Sequence, residues 1–189
     1  MPLVHLNVRR FVLRDFAEDD RGAFLSYQTD PRYCALYDFD AADVDRAARL
    51  FDRFLDWQRE HPRANFQLGI FEQAGGKLCG SAGLRKSSPD EAVLGIELSP
   101  DDWGRFRLAL DVSEALVSFG FATLRLRSLT GKTSSGNTRV AKLARRFGAN
   151  IVKRHDGPQW MRDRGWVEVE WKLLREDWEW RNTVSGRRS

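Results

Sequence analysis

Val93-Leu94-Gly95-Ile96-Glu97-Leu98, followed by Trp103-Gly104-Arg105-Phe106-Arg107, decides how this chain of 189 residues is read. The first run is apolar and β-branched and reads as a strand. The second is a loop ahead of a helical pattern over residues 108–124, with Val112, Leu116 and Phe119 on one side. A helix start leaves N–H groups without intrahelical acceptors, and the helix dipole places partial positive charge at the same end. A strand that leads through such a loop into a helix is a ready anion site. Further along, residues 128–133 read as a strand and Ser134-Ser135-Gly136-Asn137 as a turn. Asn137 is a good N-cap for a helix over 138–147, which Gly148 stops. Residues 91–148 therefore suggest a phosphate-bearing ligand held by backbone and arginine rather than by a metal.

Length fits one domain spanning residues 1–189. Apolar content of 42% and charged content of 31% fit a soluble globular protein. No apolar run nears the roughly 20 residues that span a bilayer, so no membrane partner is expected. Met1-Pro2-Leu3-Val4-His5 lacks the basic and apolar regions of a secretion signal. Cys34 and Cys79 are far apart with no CxxC spacing, which favours free thiols in the cytoplasm over a disulfide or zinc site. The net charge is +4; residues 1–100 hold 13 basic and 16 acidic side chains, residues 101–189 hold 18 and 11. The basic half contains the candidate anion site, and its charge either attracts a polyanion or solvates the surface. Its arginines are scattered and no nucleic-acid module is evident, which argues against nucleic acid.

Elsewhere the pattern predicts a strand over 10–16, a helix from Glu18 to about Gln28 ended by Asp30-Pro31, and an irregular aromatic segment over 33–39. Asp40-Ala41-Ala42-Asp43 offers an N-cap for a helix with Val44, Ala47, Phe51, Phe54 and Leu55 in a 3.6-residue rhythm, closed by His61-Pro62. Residues 66–72 and 77–84 form a hairpin around Ala74-Gly75-Gly76, and residues 92–98 a third strand. After Gly148 come a strand over 150–154, a loop to Gly165, a strand over 166–174 and a tryptophan-rich tail. This order predicts α/β architecture with a mixed, mostly antiparallel central sheet.

Four words in this order resemble the GNAT superfamily of N-acetyltransferases, in the branch of the RimJ/RimL ribosomal-protein acetyltransferases. They are Arg10-Phe11-Val12-Leu13-Arg14 with Asp19-Asp20; Gly95-Ile96-Glu97-Leu98 with Trp103-Gly104-Arg105; Gly136-Asn137-Thr138 through Phe147-Gly148; and Leu173-Leu174-Arg175-Glu176-Asp177-Trp178. The resemblance covers residues 10–178. It implies a splayed sheet flanked by helices, acetyl-CoA as co-substrate, no metal, and acetyl transfer to an amine on a protein N-terminus or a small molecule. A homodimer is compatible with it. Pantetheine would pair with Ile96 to Leu98. Pyrophosphate would sit on the loop formed by Trp103, Gly104, Arg105, Phe106, Arg107, Leu108 and Ala109, and Asn137 would bond the cofactor. The family loop carries an inner glycine that this chain lacks in either register. Arg105 and Arg107 could supply charge-assisted bonds instead.

The same resemblance makes Glu97 the base that takes the amine's proton through water; by itself, Glu97 could equally pair with a nearby arginine. The family's tyrosine acid corresponds to Ala144. Asp38, Asp40, Asp43 and Asp45 would suit a cationic amine or simply mark helix starts. Ser134 and Ser135 read as turn formers. His5, His61 and His155 accompany no nucleophile motif, so a covalent triad is not indicated. Trp160, Trp166, Trp171, Trp178 and Trp180 read as core or interface anchors, some edging the acceptor site. A GNAT-fold CoA sensor or interaction module without catalysis is the alternative.

Overall fold

Alternating side chains define the first strands. The computed structural model describes residues 3–37, 40, 41 and 43–186. Asp38 lies outside them. Strand β1 (His5–Val8), which the sequence pattern did not reveal, pairs antiparallel with β2 (Phe11–Asp15). On β2, Phe11, Leu13 and Asp15 are buried and Val12 and Arg14 only partly so, a period of two. Helix α1 (Arg21–Gln28) follows a 3₁₀ turn, Glu18–Asp20.

The aromatic segment expected to be irregular is instead helical: α2 runs Pro31–Tyr37. Proline at a first helical position forfeits an N–H that has no partner anyway, so the same Pro31 that ends α1 opens α2. Helix α3 (Val44–Arg59) is capped by Asp43, which accepts the Arg46 N–H at 2.8 Å. Strands β3 (Asn65–Glu72) and β4 (Leu78–Lys86) form the expected antiparallel hairpin. Strand β5 spans Glu91–Leu98, and α4 spans Phe106–Ser118. Helix α4 starts two residues before the expected point and passes into a π-helical turn, Phe119–Thr123.

The chain divides into two compact units, Met1–Arg85 with Gly95–Leu116, and Lys86–Leu94 with Val117–Ser189. The first is centred on Phe16, Phe24, Tyr27, Tyr33, Phe51, Phe54 and Phe71, all buried. Phe16 stacks on Phe54 at 5.8 Å and meets Phe24 edge-on at 5.6 Å. Each such ring contributes about 1.5–3 kcal/mol of transfer free energy. At the end of β2, Asp15 forms a buried ion pair with Arg63 at 2.6 Å.

The second unit is built on β6 (Ser128–Ser134), β7 (Asn150–Asp156) and β8 (Val167–Leu174). Strand β8 pairs antiparallel with both β6 and β7. The start of β5 pairs with β6 in parallel over three positions, Glu91 with Ser128 to Val93 with Thr130. Helices α5 (Thr138–Phe147), α6 (Gln159–Arg162) and α7 (Arg175–Gly186) complete it. Leu126, Leu129, Leu143, Val169, Trp171 and Leu173 are buried. The tryptophan-rich tail is α7, from which Trp178 packs on Phe121 at 5.6 Å. The strand order is β1-β2-β3-β4-β5-β6-β8-β7. This is the mixed α/β architecture the sequence predicts, an open, mostly antiparallel sheet flanked by helices.

Candidate functional site

Glu97 lies at the end of β5, partly exposed, and four side chains donate to it. Tyr27 Oη, Gln28 Nε2 and Ser81 Oγ reach Oε1 at 2.8, 2.9 and 2.9 Å. Tyr33 Oη reaches Oε2 at 2.6 Å. Tyr27 and Gln28 come from the buried face of α1, Tyr33 from α2 and Ser81 from β4. Burial, then the negative charge of Glu97, pushes the Tyr27 phenol well above its ordinary value, so it stays protonated and donates. The arginine pairing that the sequence also allowed for Glu97 is not formed among the described residues.

Gly80 of β4 makes this arrangement fit. Its φ of +148° suits glycine, and a Cβ there would stand 2.2 Å from the Glu97 main-chain oxygen. Backbone thus meets backbone behind the carboxylate, where no other residue could sit undisturbed.

Beyond Leu98 the chain turns through a 3₁₀ segment, Pro100–Asp102, into the loop before α4. Trp103 Nε1 donates to the Leu98 oxygen at 3.0 Å and ties the loop to the strand it leaves. Asp102 is 1% exposed and accepts from Ser99 Oγ at 2.8 Å, Lys77 Nζ at 3.1 Å and Arg105 Nη1. Burial pushes its carboxyl up, but Arg105, Ser99 and Lys77 together outweigh this and hold it below the ordinary aspartate value. Bonding to Asp102 likewise raises Lys77.

Gly104 adopts φ +89°, a left-handed conformation, yet a Cβ would meet nothing within 4 Å. The loop's glycine therefore serves the turn rather than a close approach. Phe106 N–H bonds to Gly104 O and Ala109 N–H to Arg105 O. The N–H groups of Gly104, Arg107 and Leu108 have no acceptor among the described residues. These are the orphan donors of a helix start, at the place where the sequence puts an anion.

The two arginines expected to support them are already engaged. Arg105 Nη1 bonds Asp102 and, at 2.9 Å, Glu72, and its guanidinium lies over Phe11. Arg107 pairs with Asp111 at 3.0 Å. Leu108 is buried and Phe106 exposed, so the missing inner glycine is replaced by one side chain turned inward and one turned out.

Glu72, Cys79 and Asp102 bring three potential metal-ligand atoms within 4.8 Å of one another. Arg105 bridges both carboxylates and Lys77 holds Asp102, so the group reads as an ion-pair node. Within it, burial and then the charges of Asp102 and Glu72 push the Cys79 thiol up to about 11.

In the second unit, Asn137 caps α5: its Oδ1 accepts the Val140 N–H at 3.1 Å. Its Nδ2 has no partner among the described residues, and the residue is exposed. The ring of Trp166 lies against Gly136 next to it. Ser135 bonds the main chain of Val167, as a turn former does. His155 Nε2 lies 2.6 Å from Glu168. The sequence reading did not single out Tyr27, Gln28, Tyr33, Ser81 or Asp102. A glutamine on the apolar face of α1 and a serine inside an apolar strand were the available signals.

The Acetyltransferase (GNAT) domain family model matches residues 10–150. The chain belongs to this acetyltransferase family. Solved structures share its fold at low identity. An acetyltransferase of the GNAT family from Bacillus anthracis superposes with a TM-score of 0.74 at 14% identity, covering 92% of this chain and 99% of the other. An acetyltransferase from Agrobacterium tumefaciens gives 0.70 at 22%, covering 93% and 96%. Spermidine N-acetyltransferase from Vibrio cholerae, solved with CoA and spermine, gives 0.71 at 13%, covering 89% and 98%. A comparison with curated proteins found no match. No helix among the described residues is long and apolar enough to cross a membrane.

Proposed function

We propose that the protein is a cytoplasmic N-acetyltransferase of the RimJ/RimL-like branch, acting as one domain over residues 1–189. It transfers the acetyl group of acetyl-CoA to an amine, on a protein N-terminus or a small molecule, by direct attack in a ternary complex. The observation that carries this reading is the set of open N–H groups at Gly104, Arg107 and Leu108, in a chain of the GNAT family. They suit a pyrophosphate without a metal. Trp103, Arg105, Phe106 and Ala109 shape the loop around them, and the main chain of Ile96 and Leu98, past the pairing of β5 with β6 that ends at Val93, would bond pantetheine; Asn137, whose Nδ2 has no partner among the described residues, would bond the cofactor as the family resemblance implies.

In the reaction the amine nitrogen bonds the thioester carbonyl carbon, the C–S bond breaks, and CoA leaves as thiolate. The nitrogen loses one proton, which Glu97 draws off directly or through water. Thiolate is a tolerable leaving group, so Ala144 in place of a tyrosine does not block the step. That substitution and the engaged Arg105 favour the second reading, a CoA sensor without catalysis.

Thermal shift with acetyl-CoA and with CoA, followed by thiol release over a panel of amines, separates the two. Stabilisation and turnover are expected. No shift at millimolar acetyl-CoA refutes binding, and a shift without turnover on any amine favours the sensor.

A further inference from the structure

Glu97 ends a hydrogen-bond network whose direction is imposed from its far end. Arg46, on α3, donates through Nη1 to Gln28 Oε1 at 3.3 Å and through Nη2 to the Gln28 main-chain oxygen at 2.9 Å. A guanidinium never accepts a hydrogen bond, so the carbonyl end of the Gln28 amide must face Arg46. The amide nitrogen then faces away, 3.1 Å from Tyr33 Oη and 2.9 Å from Glu97 Oε1. Because the Tyr33 hydroxyl accepts one of these N–H groups, its own hydrogen is left for Glu97 Oε2.

A second arm repeats the logic. Gln67 Nε2 donates to Ser81 Oγ at 2.9 Å, and Ser81 donates onward to Oε1. Tyr27 adds its hydroxyl to Oε1. Both arms thus run donor to acceptor toward Glu97, which receives Gln28 Nε2 and the Tyr27, Tyr33 and Ser81 hydroxyls. A carboxylate offers about four lone-pair directions. Among the described residues three donors converge on Oε1 and one on Oε2, so the open direction lies on Oε2.

We propose that Arg46 orients this network so that Glu97 stands as an acceptor-only carboxylate whose free Oε2 direction receives an N–H of the incoming amine. Arg46, Gln28 and Tyr33 are then positioning residues, and Glu97 is the residue that touches the acceptor. The proposal rests on the amine-acetylation reading. Packing alone gives no reason for Gln28 and Ser81, both 0% exposed.

The test is Arg46→Met, with Arg46→Lys as the conservative partner. Two readouts are taken: the Tyr33 hydroxyl proton by NMR, and steady-state kinetics with the amine that the wild type uses best. Arg46→Met is expected to lose the slowly exchanging Tyr33 signal and to lower acceptor kcat/KM about tenfold, the effect of one charge-assisted hydrogen bond. The KM for acetyl-CoA stays unchanged, and Arg46→Lys recovers both losses in part. A merely structural arginine would lower Tm and move neither readout. An intact Tyr33 signal with unchanged kcat/KM in Arg46→Met overturns the proposal. A wild type that acetylates no amine defeats the transfer reading and the acceptor contact with it, while the hydroxyl signal still decides the network's direction.

Discussion

Asp102→Asn isolates the node beneath the loop before α4. The carboxylate is 1% exposed and meets one neutral and two cationic donors. Asparagine keeps the shape and one acceptor oxygen but turns an N–H group toward a cation. A hydrogen bond to a charged group contributes about 1.5–3 kcal/mol when buried. Lys77 and Arg105 have side-chain exposures of 49% and 40%, so solvent screening cuts their shares to about 1 kcal/mol each or less. With the Ser99 bond, the expected loss is about 2–3 kcal/mol. At 2–4 °C per kcal/mol for a chain of this size, Tm falls by roughly 4–12 °C. With its bond to position 102 weakened and only Glu72 and Phe11 left to hold it, Arg105 fixes residues 103–106 less firmly, and the KM for acetyl-CoA rises about fivefold, a loss of roughly 1 kcal/mol of binding. The pH dependence has a definite sign. The folded carboxyl sits below its unfolded value, so its stabilisation is full above the ordinary aspartate range and is lost as pH falls through the folded value. The gap between wild type and variant is therefore constant near neutrality and closes only below about pH 4. Differential scanning fluorimetry across pH and acetyl-CoA titration measure both effects. A Tm within 2 °C of wild type at pH 7, with unchanged KM, refutes the reasoning.

Three further substitutions or reagents probe other points. Gly80→Ala adds a Cβ 2.2 Å from the Glu97 main-chain oxygen; overpacking of this kind costs about 1–3 kcal/mol, and a melting curve matching wild type would show that the strands yield more freely than that. Asn137→Ser keeps an N-capping oxygen and removes Nδ2, so Tm should hold within about 2 °C while the KM for acetyl-CoA rises about two- to tenfold; a changed Tm with constant KM assigns Asn137 to capping alone. Cys79, buried with its thiol at about 11, should resist iodoacetamide at pH 8 in the folded protein and react on unfolding, as mass spectrometry of the native protein would reveal.

The elements around the loop were legible because their signals are local. Asn137 and Gly148 bracket α5 at both ends, and the Ala74-Gly75-Gly76 turn fixes a hairpin. The start of α4 was displaced by two residues because Phe106 and Arg107 carry no stop or start signal of their own. Helix α2 escaped because its first residue, Pro31, reads equally as the end of α1. Strand β1 escaped because four residues with mixed exposure show no alternation. For the site, Glu97 was visible as a carboxylate closing an apolar strand. Its donors were not, since they are up to 70 positions away and only the folded chain gathers them. The arginines misled in part for the same reason: Glu72 reaches Arg105 from 33 positions away, whereas Asp102 and Asp111, three and four residues from Arg105 and Arg107, were within reach of a helical-spacing argument.

The orientation of Gln28 carries a consequence for proton traffic. A relay that conducts protons needs members able both to give and to take, so that each hop can reset. Here the far end is a guanidinium that gives only, and the amides of Gln28 and Gln67 do not hop at neutral pH. A proton that reaches Glu97 from an amine has no interior exit through Tyr33, Ser81 or Tyr27 and must leave by the side on which it entered. Glu97 is then a siding rather than a through line, and its reset between turnovers depends on water at the mouth of the site rather than on the protein behind it.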